Sequence, residues 1–328
     1  MKKTGIFRAA ILAAALLLLV FACAAEEMFP PSPEPPAANR TDRPTPAPTE
    51  APDSSVVNHI NYPRAYRDFA FPEDRKLLEI WFPNIKDADE AILMYDGQVW
   101  MIDCGEERAA TRGVLLLKQL GIKKIDLLFN SHLHHDHIDG LAITDDTAKV
   151  CELKICFAPD LTASGLKAIW VAEERGIPVT EYHDGDRFTM GDGAVELLIM
   201  KNNEENLDMN NQSAQTMVTY GERKILFMAD MEKAGQEALL NRVGADALKC
   251  DIVKYPHHAK SDMYTPFYQA LGARMAVATS VEGRGDAGQV AMVNRRMPMA
   301  YTSVKGQFTH LVTDGRYWLA ERVRITVK

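Results

Sequence analysis

The sequence predicts an α/β protein in which two β-sheets pack face to face with helices outside, a four-layer αββα sandwich. Three observations lead there. Strand-like segments fall into two groups, and helical segments separate and follow them, the pattern of two sheets each covered on its outer face. The composition, 47% hydrophobic and 25% charged in 328 residues, is that of a globular protein able to bury a sizeable core. After the first twenty-five residues, no apolar run approaches the roughly 20 residues that a membrane span needs.

The first segment stands apart from this pattern. Lys2, Lys3 and Arg8 precede the apolar run Ile11–Phe21, and small residues follow at Ala22–Cys23–Ala24–Ala25. This is the layout of a secretory signal, assigned to residues 1–25. Val20–Phe21–Ala22–Cys23 is similar to a bacterial lipobox, so Cys23 is the expected lipidated first residue of a cell-surface lipoprotein, which a lipid chain would tie to the membrane. Phe21 is larger than that pattern favours, so cleavage after Ala25 and simple secretion stays open. Residues 26–56 contain "PPSPEPPAA" and "RPTPAPTEAP", a composition that cannot bury a core and predicts a disordered, extended stalk. The folded domain is expected over residues 57–328. Of the five cysteines, lipidation would leave Cys104, Cys151, Cys156 and Cys250, whose spacing matches no zinc ribbon or disulfide scaffold. Cys104 and Cys250, beside apolar runs, read as buried thiols.

Within the domain, "RKLLEIWFP" (75–83) alternates in part. "EAILMYDGQVWMIDCGE" (90–106) reads as a hairpin turning at Asp96–Gly97. "TRGVLLLKQLGI" (111–122) has a helical apolar stripe closed by Gly121, and "KIDLLF" (124–129) reads as a strand buried on both faces. Lys154–Pro159 is strand-like, Leu161–Arg175 helical, and the stretch from Ile177 to Met200 rich in hairpins. "AQTMVTYGERKILFMAD" (214–230) is a hairpin turning at Gly221–Glu222–Arg223. Met231–Val243 and Met263–Leu271 are expected helices, "CDIVKYPHH" (250–258) a strand ending in two histidines, and further strands close the chain.

Four of the nine histidines lie in "FNSHLHHDHIDG" (129–140), directly after a buried strand. Divalent metals of hydrolytic sites take imidazole nitrogens and carboxylate oxygens converging from several directions. His132 and His134, two apart on an extended turn, can face one ion; Asp136 and His137 can turn toward a second, and His135 then points elsewhere.

At these residues the chain resembles the metal-dependent hydrolases of the metallo-β-lactamase fold, whose signature is His-x-His-x-Asp-His. Within them it is similar to the hydrolase domain of ComEC-type competence proteins and its secreted relatives. "MIDCGE", "NNQSAQTMVTYGERKILFMADME" and "LKCDIVKYPHHAKSD" carry the likeness further, over roughly residues 76–320. The resemblance implies two divalent ions, zinc or alternatively manganese, held by His132, His134, Asp136, His137, Asp230 and His257, with Asp230 bridging. It places Asp103 where it would hydrogen-bond a ligand and fix its orientation. The third histidine that many relatives give the first ion has no clear counterpart: His183 lies in "EYHDGDRF", before that position, and Asn210 or Asn211 falls nearer it. His59 and His310, both isolated, read as surface or packing histidines.

The expected chemistry is hydrolysis of a phosphodiester by a metal-bridging hydroxide, with Asp136 orienting the water or taking its proton and His258 donating one to the leaving group. The substrate would be DNA or a cell-envelope phosphodiester, small or polymeric. The formal charge of −8 already includes the cations of the first segment, so the remainder is more acidic and carries no strong nucleic-acid-binding patch. The competing expectation is a surface lipoprotein that keeps the fold to bind a metal or ligand without catalysis; the missing third histidine is its support.

Overall fold

The central strands are buried on both faces: successive side chains leave a strand on opposite sides, and each side meets an apolar core. Ile80, Phe82, Leu93 and Ile102 of one sheet meet Leu197, Ile199, Ile225 and Val277 of the other in a shared apolar layer. On the outer face of the first sheet, Ile92, Met101 and Leu128 pack against Leu116, Leu117, Leu141 and Val171 of three helices. On the outer face of the second, Leu226, Val253 and Ala276 pack against Leu239, Leu248 and Phe267. These three cores separate four layers, helix, sheet, sheet, helix.

The computed structural model describes residues 54–64, 69–283 and 297–326. The expected signal, Cys23 and nearly all of the expected stalk lie outside the described residues. Among the described residues the first sheet has nine strands, in the order Val56–Asn58, Trp318–Arg324, Gln307–Thr313, Leu78–Phe82, Glu90–Tyr95, Gln98–Cys104, Leu127–Phe129, Leu153–Ile155 and Val179–Glu181. The second has seven: Arg187–Met190, Val195–Met200, Gln215–Tyr220, Arg223–Phe227, Ile252–Lys254, Met275–Ala278 and Met299–Tyr301. The last four of the first sheet run parallel, as do the last four of the second.

Local chemistry sets the element ends. Helix Glu107–Leu120 stops at Gly121, whose φ of 70° lets its N–H turn back to the carbonyls of Leu117 and Lys118. Helix Ala163–Arg175 starts where the Thr162 hydroxyl accepts from the Gly165 N–H. The expected strand over 124–129 is instead two pieces, Lys124–Ile125 and Leu127–Phe129, in different sheets. Asp126 divides them by bonding the Val99 backbone through both its N–H and its carboxylate. The strand expected over 154–159 ends at Ile155, and Pro159 opens a 3-10 turn.

Candidate metal centre

Five loops meet at one end of the two sheets, each leaving the carboxyl end of a parallel strand, where open α/β sheets place their ligands. At these strand ends lie Asp103, the penultimate residue of Gln98–Cys104, the histidine motif after Leu127–Phe129, Asp230 after Arg223–Phe227, His257 and His258 after Ile252–Lys254, and Thr279 after Met275–Ala278. The backbone is bent hard to deliver them: Asp103, Ala229, His257, His258 and Ala259 all have φ between 44° and 59°. Each such non-glycine residue costs about 1–3 kcal/mol and persists where surrounding contacts enforce it. The motif continues into a short helix, His135–Ile138, and then Leu141–Thr147. Gly140 sits between them because a Cβ there would lie 1.9 Å from the Cys104 carbonyl oxygen.

The side chains form two groups that share Asp230: His132, His134 and Asp230, and Asp136, His137, Asp230 and His258. The Asp230 Oδ1 atom lies 3.2 Å from His137 Nε2 and 3.4 Å from His258 Nε2. Its Oδ2 atom faces His132 Nε2 at 3.9 Å. Asp136 Oδ2 completes the second group, 3.3 Å from His258 Nε2. Donors about 2.0–2.1 Å from a tetrahedral ion stand about 3.3 Å from one another, so this group already has the spacing of a coordination shell. His132 Nε2 and His134 Nδ1 lie 3.0 Å apart in the first group.

Three atoms of the second group, His137 Nε2, His258 Nε2 and Asp230 Oδ1, are buried with no hydrogen-bond partner. Buried polar atoms left unsatisfied cost about 1–3 kcal/mol each, and here they converge. That convergence, with nitrogen and carboxylate donors, fits a divalent cation such as zinc. The opposite nitrogens are spoken for. The Asp103 carboxylate accepts from the Ser131 hydroxyl and N–H, both at 2.7 Å, and lies 2.8 Å from His137 Nδ1. In the neutral ring the His137 proton therefore sits on Nδ1, and Nε2 points into the group.

Charge inside the group is balanced by protons. Burial opposes an imidazolium at His137, yet Asp230 and Asp103 raise it well above its ordinary value. His258 is likewise raised to about 10, against burial, by Asp89 and Asp230. Burial would raise Asp230, but the His137 and His258 charges hold it well below the usual carboxylate range. In the first group burial dominates: it pushes His132 well below its ordinary value and lowers His134, leaving neutral imidazoles with lone pairs available. A divalent cation in the second group would replace positive charge now carried on protons, so its binding releases them.

The histidine pair stands differently from the expectation. His258, anticipated as a proton donor, belongs to the buried group; His257, anticipated as the ligand, lies outside it, with Nε2 3.7 Å from Asp230 Oδ2. Glu232 holds His257 Nδ1 at 2.8 Å, with the Ser261 hydroxyl 3.3 Å away. The reversal comes from the left-handed turn, which sends adjacent side chains where strand alternation does not. Asn211 is occupied: its Oδ1 accepts from the Gly235 N–H and its amide donates to Asp208. The Asn210 Oδ1, by contrast, is buried without a hydrogen-bond partner. His183 and His135 are exposed, and His310 is packed against Trp81. Sequence reasoning missed Glu232 and Asp89, and gave no role to Lys254, although that lysine opens the Lys-x-x-His-His segment by which the chain resembles the family.

Residues 91–273 match the model of the metallo-beta-lactamase superfamily. The chain belongs to that superfamily. Its members are generally metal-dependent hydrolases. The chain is 23% identical over 224 residues to the competence protein ComA of Neisseria gonorrhoeae, covering 66% of this chain and 28% of that one. It is 40% identical over 60 residues to a ribonuclease Z of Pediococcus pentosaceus, 18% of either chain. It thus spans less than a third of the length of either curated relative. Among solved structures, the metallo-beta-lactamase fold protein YhfI from Bacillus subtilis aligns with a TM-score of 0.47 at 12% identity, over 68% of this chain and 95% of that one.

Proposed function

We propose that this superfamily member is an exported phosphodiesterase that works with two divalent cations, zinc or manganese. The observation that carries the reading is Asp230, whose two oxygens face two donor groups at once. His132, His134 and Asp230 would hold one ion, with Asn210 as an added oxygen donor; Asp136, His137, Asp230 and His258 would hold the other. When bound, the ions supply Lewis acidity toward a phosphoryl oxygen and acidify water at neutral pH.

The remaining steps belong to the chain. Asp136, at the edge of the buried group, orients the attacking water and accepts its proton. His257, partly exposed and held from behind by Glu232, is poised to give a proton to the leaving oxygen, as a carboxylate-braced imidazole does in other hydrolytic sites. This exchanges the roles that the sequence suggested for the two histidines. A diester is favoured as substrate because one relative is a ribonuclease by name and paired cations suit in-line phosphoryl displacement. The acidic chain favours a cell-envelope diester over long DNA.

Elemental mass spectrometry and hydrolysis of bis-p-nitrophenyl phosphate test this together. Two metals per chain, with activity lost in Asp136→Ala, support it. One metal or none, and no activity above that variant with zinc or manganese, would sink it and favour the binding lipoprotein. Export with a lipid on Cys23 is part of the same proposal. It requires that palmitate labelling of cells expressing the chain disappear in Cys23→Ser.

A further inference from the structure

We propose that Asp89 and Lys254 form a buried, charge-paired brace that aims His258 and the Asp230 turn, and so sets the affinity and coordination of the cation held by Asp136, His137, Asp230 and His258. The inference rests on the two-cation reading above and adds two positioning residues to it.

The pair crosses the seam between the sheets. Asp89 directly precedes strand Glu90–Tyr95 of the first sheet, and Lys254 ends strand Ile252–Lys254 of the second. Their side chains are 7% and 3% exposed and in direct ionic contact. The Asp89 carboxylate also accepts from the Thr279 hydroxyl and lies 3.1 Å from His258 Nδ1. Asp89 and the Thr279 hydroxyl, which is 3.0 Å from the same nitrogen and donates its own proton to Asp89, put the His258 proton on Nδ1 and turn Nε2 toward Asp136 and Asp230. The Lys254 ammonium donates a second bond, 3.1 Å, to the carbonyl of Ala229, the left-handed residue that throws Asp230 inward.

The main chain of Asp89 reaches the other two loops. Its N–H donates to the Asp136 carbonyl at 3.0 Å, and its carbonyl accepts from the Gly105 N–H at 2.8 Å, two residues past Asp103. Asp89, Asp103 and His137 lie close enough to suggest another cation position. Lys254 argues against one, because its ammonium already supplies the positive charge at Asp89. Burying an ion pair gains little stability over an apolar pair of the same volume. What this pair returns is direction: it fixes two of the four donors and backs the loop of a third.

The test is a Co2+ titration of the full chain, read by visible absorption and chelator competition, with far-UV circular dichroism on each variant. Asp89→Asn should weaken one Co2+ step by about 10–100-fold and shift the absorption bands, leaving the other step within about threefold. Lys254→Met, which strands a buried carboxylate, should weaken that step more than the double variant Asp89→Asn/Lys254→Met does. Thr279→Val keeps both charges and removes the hydroxyl that donates to Asp89 and lies 3.0 Å from His258 Nδ1; it should weaken the same step by a smaller factor, and it serves if the charge variants do not fold. A folded Asp89→Asn or Thr279→Val with both steps and the spectrum of the wild type overturns the brace. So do single-variant losses that simply add in the double variant. A wild type that takes up no Co2+ overturns the two-cation reading itself, whereas a wild type that binds two beside indifferent variants overturns this inference alone.

Discussion

His310 and the pair His137 and His258 are all buried imidazoles beside carboxylates, and all three are raised above the ordinary histidine value. They differ in one atom. His310 has Glu79 at 2.9 Å on Nε2 and Glu321 at 3.0 Å on Nδ1, and its ring stacks on Trp81 with 3.5 Å between centroids. His137 and His258 are held through Nδ1, by Asp103 in one case and by Thr279 and Asp89 in the other, while Nε2 is buried without a hydrogen bond and faces the ligand carboxylates at 3.2–3.4 Å. Burial, acidic neighbours and the direction of the protonation shift are common to both kinds of site. The unspent nitrogen is what separates a prospective ligand from a packed side chain.

Replacing the two kinds should therefore have opposite signatures. The largest effect is expected for His258→Ala: loss of one metal and about 10⁴-fold in diester hydrolysis, the upper range for one catalytic group. His257→Ala, next to it in sequence, should keep both metals and lose about 10²-fold in kcat, mostly with poor leaving groups. Metal content and kcat measured together on both variants check this. Equal metal loss in the two would erase the distinction drawn between them.

The smallest effect concerns His310, whose folded pKa is raised, net of burial, by Glu321 and Glu79. Its stabilising contribution is fully present below about pH 6.5, the unfolded value, and is lost as pH rises through the folded one. The Glu321 side chain is 37% exposed, so screening holds the contribution to about 0.5–1 kcal/mol. Urea midpoints across that pH range should show the loss in the wild type and a reduced one in Glu321→Gln, with metal content unchanged in both. A variant that also lost metal would break the comparison from the other side.

The legibility of this site followed the distance between its parts. His132, His134, Asp136 and His137 are local, and their spacing after a buried strand could be read without a structure. The sandwich could be read as well, because two groups of strands and intervening helical stripes are periodic features. Which histidine of the pair faces inward could not, since it depends on three consecutive left-handed residues that no residue type announces. Asp89 and Lys254 are 165 positions apart and meet only when the sheets close. Glu232 falls inside the helix expected over Met231–Val243 but precedes the one formed, Lys233–Val243, and its contact with His257 spans 25 positions.

That Asp89 and Lys254 reach across from opposite sheets gives the centre a mechanical character. The donors are not carved into one rigid half; they are clasped over a sliding plane filled with apolar side chains. A shear of one residue repeat, about 3.3 Å, would leave each sheet intact and yet part the lysine from its aspartate and His258 from its neighbours. Such slippage would undo the centre with both sheets still formed, so the site depends on the grip between layers as much as on the integrity of each layer.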